Sequence, residues 1–284
     1  MSAPAHGGDV ASDRPVLGID IGGSGIKGAP VDLGTGEFAA DRLRIETPSK
    51  STPKNVAKVV AEIVDHFADQ IGDGPIGIDI PAVVTHGRTR SAANIDKSWL
   101  DYDAAKEFED VLGRSIYLVN DADAAGVAEV HYGAAKDHPG LVLLATLGTG
   151  IGSALIYRGV LVPNSELGHI EIDGHDAEKR AASSAKENGD LSWKDYIPRL
   201  QRYFEVVEAL FWPDLIVVGG GISKKADKFI PHLKLNAEMV PAKLLNTAGI
   251  VGSAWLAADR HAHGEAPTQL KTTARSEINY VAPG

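Results

Sequence analysis

The sequence predicts an α/β protein of two similarly built halves that face each other across a cleft. Three observations carry this. A strand, a glycine turn and an antiparallel strand open the chain at 16–31; the same order returns about 125 residues later, at 141–157; and a third glycine run, Gly219-Gly220-Gly221, follows a further strand. Glycine turns at the ends of strands in both halves are what a cleft needs to hold a phosphate chain or a nucleotide.

Val16-Leu17-Gly18-Ile19-Asp20-Ile21 reads as a buried strand, and Gly22-Gly23-Ser24-Gly25 turns it back through Val31. Val56, Val59, Val60, Ile63, Val64 and Phe67 recur at helical spacing, so 55–71 is predicted to be a helix that Gly72-Asp73-Gly74 ends. A strand at 76–81, a helix at 102–112, a short strand at 116–119 and a helix at 122–132 follow. The second half repeats the opening with a strand at 141–147, the turn Gly148-Thr149-Gly150-Ile151-Gly152 and a return strand at 153–157. Residues 174–192 are polar and weakly patterned, a loop or short irregular helix. A long amphipathic helix is predicted at 193–211, a strand at 215–218, another helix opening after the third glycine run, and a last helix at 250–259. This divides the chain into a smaller domain, 14–121 with a returning C-terminal helix at 247–260, and a larger one, 122–246. Residues 261–284 lack periodicity and are predicted to be a mobile tail.

Composition narrows the function. At 284 residues the chain can bury a core and still hold a cleft, and 44% hydrophobic with 23% charged residues is ordinary for a globular protein. No apolar run reaches the roughly 18 residues that a spanning helix needs, and the N-terminal stretch has no apolar segment of a secretory signal. The absence of cysteine excludes disulfides and thiolate metal sites and fits the cytoplasm. A formal net charge of -10 argues against nucleic-acid and anionic-membrane partners, so any anionic ligand must meet a local basic patch.

Four motifs can carry chemistry, and each has a plainer reading. Gly22, Gly23, Ser24 and Lys27 in the first turn, with Thr149 and Gly150 in the second, can wrap phosphate oxygens with backbone N–H groups; tight hairpins use the same glycines. The spacing matches neither the dinucleotide fingerprint nor the Walker loop. Asn120-Asp121, between a strand and a helix, can project a carboxylate into a cleft as the base that a kinase acting on an alcohol needs, or can simply cap the helix. Glu166 and His169 can fix sugar hydroxyls, or lie on a solvated loop. Lys224, Lys225 and Lys228 after the third glycine run can hold an extended anion, or form a solvated helix face.

Asp20-Ile21-Gly22-Gly23-Ser24-Gly25-Ile26-Lys27, Asn120-Asp121-Ala122, Leu147-Gly148-Thr149-Gly150-Ile151-Gly152, Glu166-Leu167-Gly168-His169 and Gly219-Gly220-Gly221 stand in the order seen in the ROK (repressor, open reading frame, kinase) group of sugar kinases. The chain resembles that family from about Val16 to Asp259. Asn94-Ile95-Asp96-Lys97-Ser98-Trp99, the segment 200–205 and residues 213–229 are similar to its polyphosphate-using glucokinase branch.

The resemblance implies a two-domain actin-like ATPase (ribonuclease H-like) fold with a hexose in the interdomain cleft, and a homodimer. It implies Asp121 as general base, with Asn94, Asn120, Glu166 and His169 on glucose or a related hexose such as mannose. It places Gly22, Gly23, Ser24, Lys27, Thr149 and Gly150 on phosphates. Gly220, Gly221, Lys224, Lys225 and Lys228 then meet the donor, polyphosphate, ATP or both, and Asp20 organises Mg²⁺, through water.

Two departures qualify it. Many relatives carry a cysteine-rich zinc motif after Glu-x-Gly-His; this chain has no cysteine, so no zinc is expected and His169 should serve the sugar or the fold. Relatives often have Pro-Gly where this chain has Pro81-Ala82. Within the family, an ATP-only hexokinase, an N-acetylmannosamine or fructose kinase, and a sugar-sensing repressor are the alternatives. The repressor needs a DNA-binding unit, and only about 15 residues precede the first strand.

Overall fold

The computed structural model describes residues 14–92 and 95–264. Asn94 and residues 265–284 lie outside these, so the sugar contact expected at Asn94 and most of the expected mobile tail fall outside the described residues.

The first half is built on a six-stranded sheet. β1 (Val16–Ile21) pairs antiparallel with β2 (Ile26–Asp32), from Val16 opposite Val31 to Ile21 opposite Ile26. β3 (Glu37–Phe38) and β4 (Leu43–Ile45) both pair with β2. On its other side β1 pairs in parallel with β5 (Ile76–Ile80). A small sheet of β6 (Val84–Thr85), β7 (Arg88–Thr89) and β8 (Tyr102–Asp103) follows β5, and β9 (Ile116–Asn120) completes the main sheet beside it. β5 and β9 are buried along their whole length, as expected for parallel strands covered on both faces. α1 (Pro53–Ile71) and α2 (Ala104–Leu112) cover one face, with Val60, Ile63, Phe67, Phe108 and Trp99 in the core they share with β1 and β5. Pro53 stands at the start of α1, where its missing N–H costs nothing. α3 (Asp121–His131) starts directly at the end of β9.

The second half repeats the plan. β10 (Leu141–Leu147) and β11 (Ile151–Tyr157) form an antiparallel hairpin with β12 (Val160–Val162) at one edge. A small hairpin, β13 (Glu171–Ile172) with β14 (His175–Asp176), leads to α4 (Glu178–Ala181), α5 (Ser183–Asn188) and α6 (Trp193–Phe211). β15 (Leu215–Gly219) and β16 (Glu238–Pro241) extend the sheet in parallel from β10. Tyr196, Leu200, Tyr203, Phe204 and Val207 of α6 form this half's core with Leu143, Ala145, Ile216 and Val218.

α7 (Ala248–Ala262) crosses the free face of the first sheet and meets α3. Glycines let the backbones touch: a Cβ on Gly18 or Gly77 would collide with the carbonyls of Ile250 or Ser253, and one on Gly252 with that of Ala124. The helix is longer than its apolar pattern implies, and residues 261 and 262, assigned to the tail, are its last turn. A second correction concerns the segment after the third glycine run. It is a 3₁₀ stretch, Gly221–Lys228, with non-helical geometry at Lys225, because only Ile222 and Ser223 in it are buried and no apolar stripe supports an α-helix.

Candidate active site

Both hairpin turns expose backbone donors by the same device. In the first, Gly22 N–H donates to Gly25 O at 3.2 Å, while the Thr47 hydroxyl holds Gly22 O at 2.5 Å and the Arg44 guanidinium holds Ser24 O at 2.7 Å. In the second, Gly148 N–H donates to Gly150 O at 3.0 Å. Ser183 donates its hydroxyl to Gly148 O at 3.0 Å, and Ser184 to Thr149 O at 2.6 Å. A trans peptide points its N–H opposite its C=O. With the carbonyls tied back, the amide of Gly23 in one turn, and those of Thr149 and Gly150 in the other, are turned away from them toward the open side of the turn, the arrangement that binds anions.

Charge gathers at the end of β1. Lys27 Nζ sits 2.7 Å from Asp20 Oδ2 across the hairpin. Asp79 lies opposite Asp20 on β5 and is 1% exposed, with neither oxygen hydrogen-bonded among the described residues. Its carboxyl is held well above the ordinary range by burial first, then by the charges of Asp20 and Asp121. The divalent cation that the family resemblance implies fits this donor set: hard carboxylate oxygens, two of them orphaned, on one rung of the sheet.

Asn120 caps α3, its side-chain oxygen accepting from the amides of Ala122 at 2.9 Å and Asp123 at 3.1 Å. That oxygen is committed to the helix, and the side-chain amide donates to Ala82 O at 3.2 Å, so a role toward sugar is left only to its remaining N–H. The capping alternative therefore belongs to Asn120, and the next residue is exposed: Asp121 opens the helix with one carboxylate oxygen on the Ala122 amide at 2.8 Å. Although its surface reaches solvent, the protein walls around it displace much of its water and raise its carboxyl to about 6, with the charges of Asp20 and Glu166 adding to this.

Glu166 and His169 flank a 3₁₀ turn, 3.9 Å apart, with Leu167 and Gly168 buried between them. Burial raises the Glu166 carboxyl; His169 opposes this and Glu178 adds to it. His169 Nδ1 is 3.3 Å from Asp176 Oδ2 and 3.9 Å from Glu178 Oε1, and these three ligating atoms lie within 4.8 Å of one another. The segment after His169 is thus ordered by carboxylates. Glu178 also reaches back to the second turn, accepting the Ile151 amide at 3.1 Å.

Besides Asp79, two positions follow from the fold and not from the sequence pattern. Asp123, 1% exposed, accepts the Asn164 amide at 2.7 Å; burial raises its carboxyl to about 7, with Glu166 and Asp121 contributing. Asn164 in turn pairs with both backbone groups of Val84, at 2.8 Å each. The pair fastens the loop that carries Glu166 to β6. A cavity of about 180 Å³ lies beside the first turn, lined by Gly22, Gly23, Thr47, Ile95, Asp96 and Trp99.

At the third turn Gly220 adopts φ 77°, and a Cβ there would strike the backbone of Leu147. Lys224, Lys225 and Lys228 are all exposed, and Lys228 is 3.4 Å from Asp227. They do not project from a helix N-terminus.

Twin strand–turn–strand halves, with outward amides and a carboxylate between them, define the actin-like ATPase fold of sugar kinases and their relatives. The chain belongs to the ROK family, whose profile matches residues 16–184. It is 51% identical to a polyphosphate glucokinase of Mycobacterium tuberculosis over 244 residues, 86% of this chain and 91% of that protein. It is also 51% identical to the inorganic polyphosphate/ATP-glucomannokinase of Arthrobacter sp. strain KM, whose crystal structure superposes with a TM-score of 0.83 over 88% of this chain and 100% of that one. A Streptomyces griseus ROK glucokinase structure shares the fold at 22% identity and a TM-score of 0.72, covering 86% of this chain and 99% of that one.

Proposed function

We propose that this chain is a hexose kinase that transfers a phosphoryl group from inorganic polyphosphate or ATP to the 6-hydroxyl of glucose, with mannose as a second acceptor. The observation that carries the proposal is Asp121, an exposed carboxylate at the end of β9 with its carboxyl near 6, close enough in charge to feel both Asp20 and Glu166. Such a group is ionised at neutral pH and still basic enough to take a proton. The hydroxyl oxygen forms its bond to phosphorus as the bond to the leaving phosphate breaks, and the hydroxyl proton goes to Asp121. The outward amides of both turns hold the phosphoryl oxygens where charge develops. Glu166 and the remaining N–H of Asn120 orient the sugar. Magnesium, held at Asp20 through water with Asp79 behind it, would neutralise phosphate charge when bound.

The relatives that share half of its residues support the donor and acceptor classes. Separate cores under the two sheets support the division into 14–121 with 247–260 and 122–246. A homodimer is supported by large apolar side chains left exposed, Trp212 and Leu210 among them, and a cytoplasmic setting by the absence of cysteine.

A donor-by-sugar activity matrix with Mg²⁺ tests this reading. Glucose 6-phosphate from both donors is expected. Activity with ATP alone, or with N-acetylmannosamine in place of glucose, would move the chain to another branch of the family.

A further inference from the structure

The second half holds a cavity of about 190 Å³ between the β13–β14 hairpin, α4 and α6. Arg180, Arg199, Arg202 and Asp173 line it, with Tyr203 at its wall. Asp173 is already committed: it accepts two hydrogen bonds from Arg202, at 2.9 and 2.7 Å. Arg180 also bears on Asp173, helping Arg202 to hold that carboxyl below its ordinary value. Among the described residues neither the Arg180 nor the Arg199 guanidinium has an ion-pair or hydrogen-bond partner. Tyr203 is 1% exposed, and its hydroxyl, a donor, meets no acceptor.

The four charged side chains leave two net positive charges on one small cavity, in a chain whose formal net charge is -10. Unpaired guanidinium groups present rigid forks of N–H donors that match the oxygens of a phosphate. The cavity also shares a wall with the second turn. α4, which contributes Arg180, begins at Glu178, the acceptor of the Ile151 amide; Ser183 and Ser184, just beyond α4, tie back the carbonyls of Gly148 and Thr149.

We propose that this arginine-lined cavity is a second anion site that takes a phosphate group other than the one transferred, and that α4 couples its occupancy to the Gly148–Gly150 turn. The phosphate has two possible sources, the outer part of a polyphosphate chain or a separate phosphate ion or ester. The first source rests on the proposed use of polyphosphate; the second does not.

The test compares the full-length parent with the Arg180→Gln/Arg199→Gln double variant, both checked for unchanged secondary structure by circular dichroism. Calorimetric titration with tripolyphosphate is expected to show two binding events in the parent. In the variant one of them is lost or weakened by about tenfold, the scale of removing charge-assisted bonds at a partly exposed site. Turnover with ATP stays as in the parent. A KM for long-chain polyphosphate raised about tenfold, with the KM for ATP unmoved, identifies the donor's outer phosphates as the occupant. Loss of the binding event with every donor KM unmoved identifies a separate phosphate. A parent inactive with polyphosphate that still shows two binding events removes the proposed donor and keeps the site. Equal stoichiometry and affinity in parent and variant, with equal KM values, overturn the proposal.

Discussion

The two hairpins share a backbone and differ in chemistry at the same rung. One rung back from the tip, Asp20 faces Lys27 in the first, while Thr146 faces Gly152 in the second. The first turn therefore sits above an ion pair with a second carboxylate, Asp79, behind it. The second is neutral along its strands, and its one charged support, Glu178, comes from outside the sheet. Duplicated architecture thus supplies outward amides twice, while within the hairpin strands themselves charge is placed on one side only. Asp121 belongs to the charged side, because its own carboxyl responds to Asp20.

The largest expected effect tests that assignment. Asp121→Asn should lower kcat by ~10²- to 10⁴-fold, the usual worth of a general base, with sugar affinity little changed. In the parent, kcat/KM should rise with pH through about 6, as the carboxyl loses its proton, and the variant should lose this limb. The stability sign runs the other way. A carboxyl whose folded pKa is raised loses stability as pH climbs from its unfolded value, near 4, toward 6, so at pH 7.5 the variant should melt no lower than the parent. Near-normal turnover in this variant would remove Asp121 as the base.

A smaller effect separates the two supports. Glu178→Ala strands the Ile151 amide and frees His169 from one carboxylate, and kcat/KM should fall about tenfold with either donor, the scale of one unsatisfied buried donor. Its counterpart in the first half, Thr47→Val, removes a neutral hydroxyl from a carbonyl that water can reach, and should cost about threefold. A Thr47 variant as damaging as the Glu178 variant would mean that the two turns are held by forces of equal weight.

How much of this was legible depended on whether the cause was local. The hairpins, the long α6 and the β9–α3 junction follow from apolar runs, helical periodicity and glycine placement, each readable within a dozen residues. The split of labour between Asn120 and Asp121 was not, since either residue caps a helix equally well in sequence; the fold decides by giving the Asp123 amide to Asn120, while the Ala122 amide is shared between the two. Asp79 had a signal, a lone carboxylate in the apolar run Ile76-Gly77-Ile78-Asp79-Ile80, but its neighbour Asp20 comes from another strand. Asp123 and Asn164 lie 41 residues apart, and nothing in either segment announces the partner. The segment after the third glycine run departs from its pattern because glycine before a polar stretch looks like a helix start, whereas Gly220 at φ 77° feeds a 3₁₀ turn with little to bury.

That correction sets the smallest expected effect. Lys224, Lys225 and Lys228 were expected to meet a polyphosphate donor from a helix N-terminus, with the helix dipole adding to their charge. The dipole is missing, Lys225 sits at the kink, all three side chains are exposed, and Asp227 offsets Lys228. What remains is three solvated charges, whose pull on an anion is screened beyond about 8 Å at physiological salt. Replacing all three by Gln should therefore raise the KM for polyphosphate by roughly threefold at low salt and leave ATP within about twofold, with the difference vanishing at high salt. A larger, salt-resistant loss would mean that these lysines contact the donor directly. No loss at all would leave the arginines of the second half as the cationic surface that a long donor meets, because there, among the described residues, two guanidinium groups without ion-pair partners line a cavity.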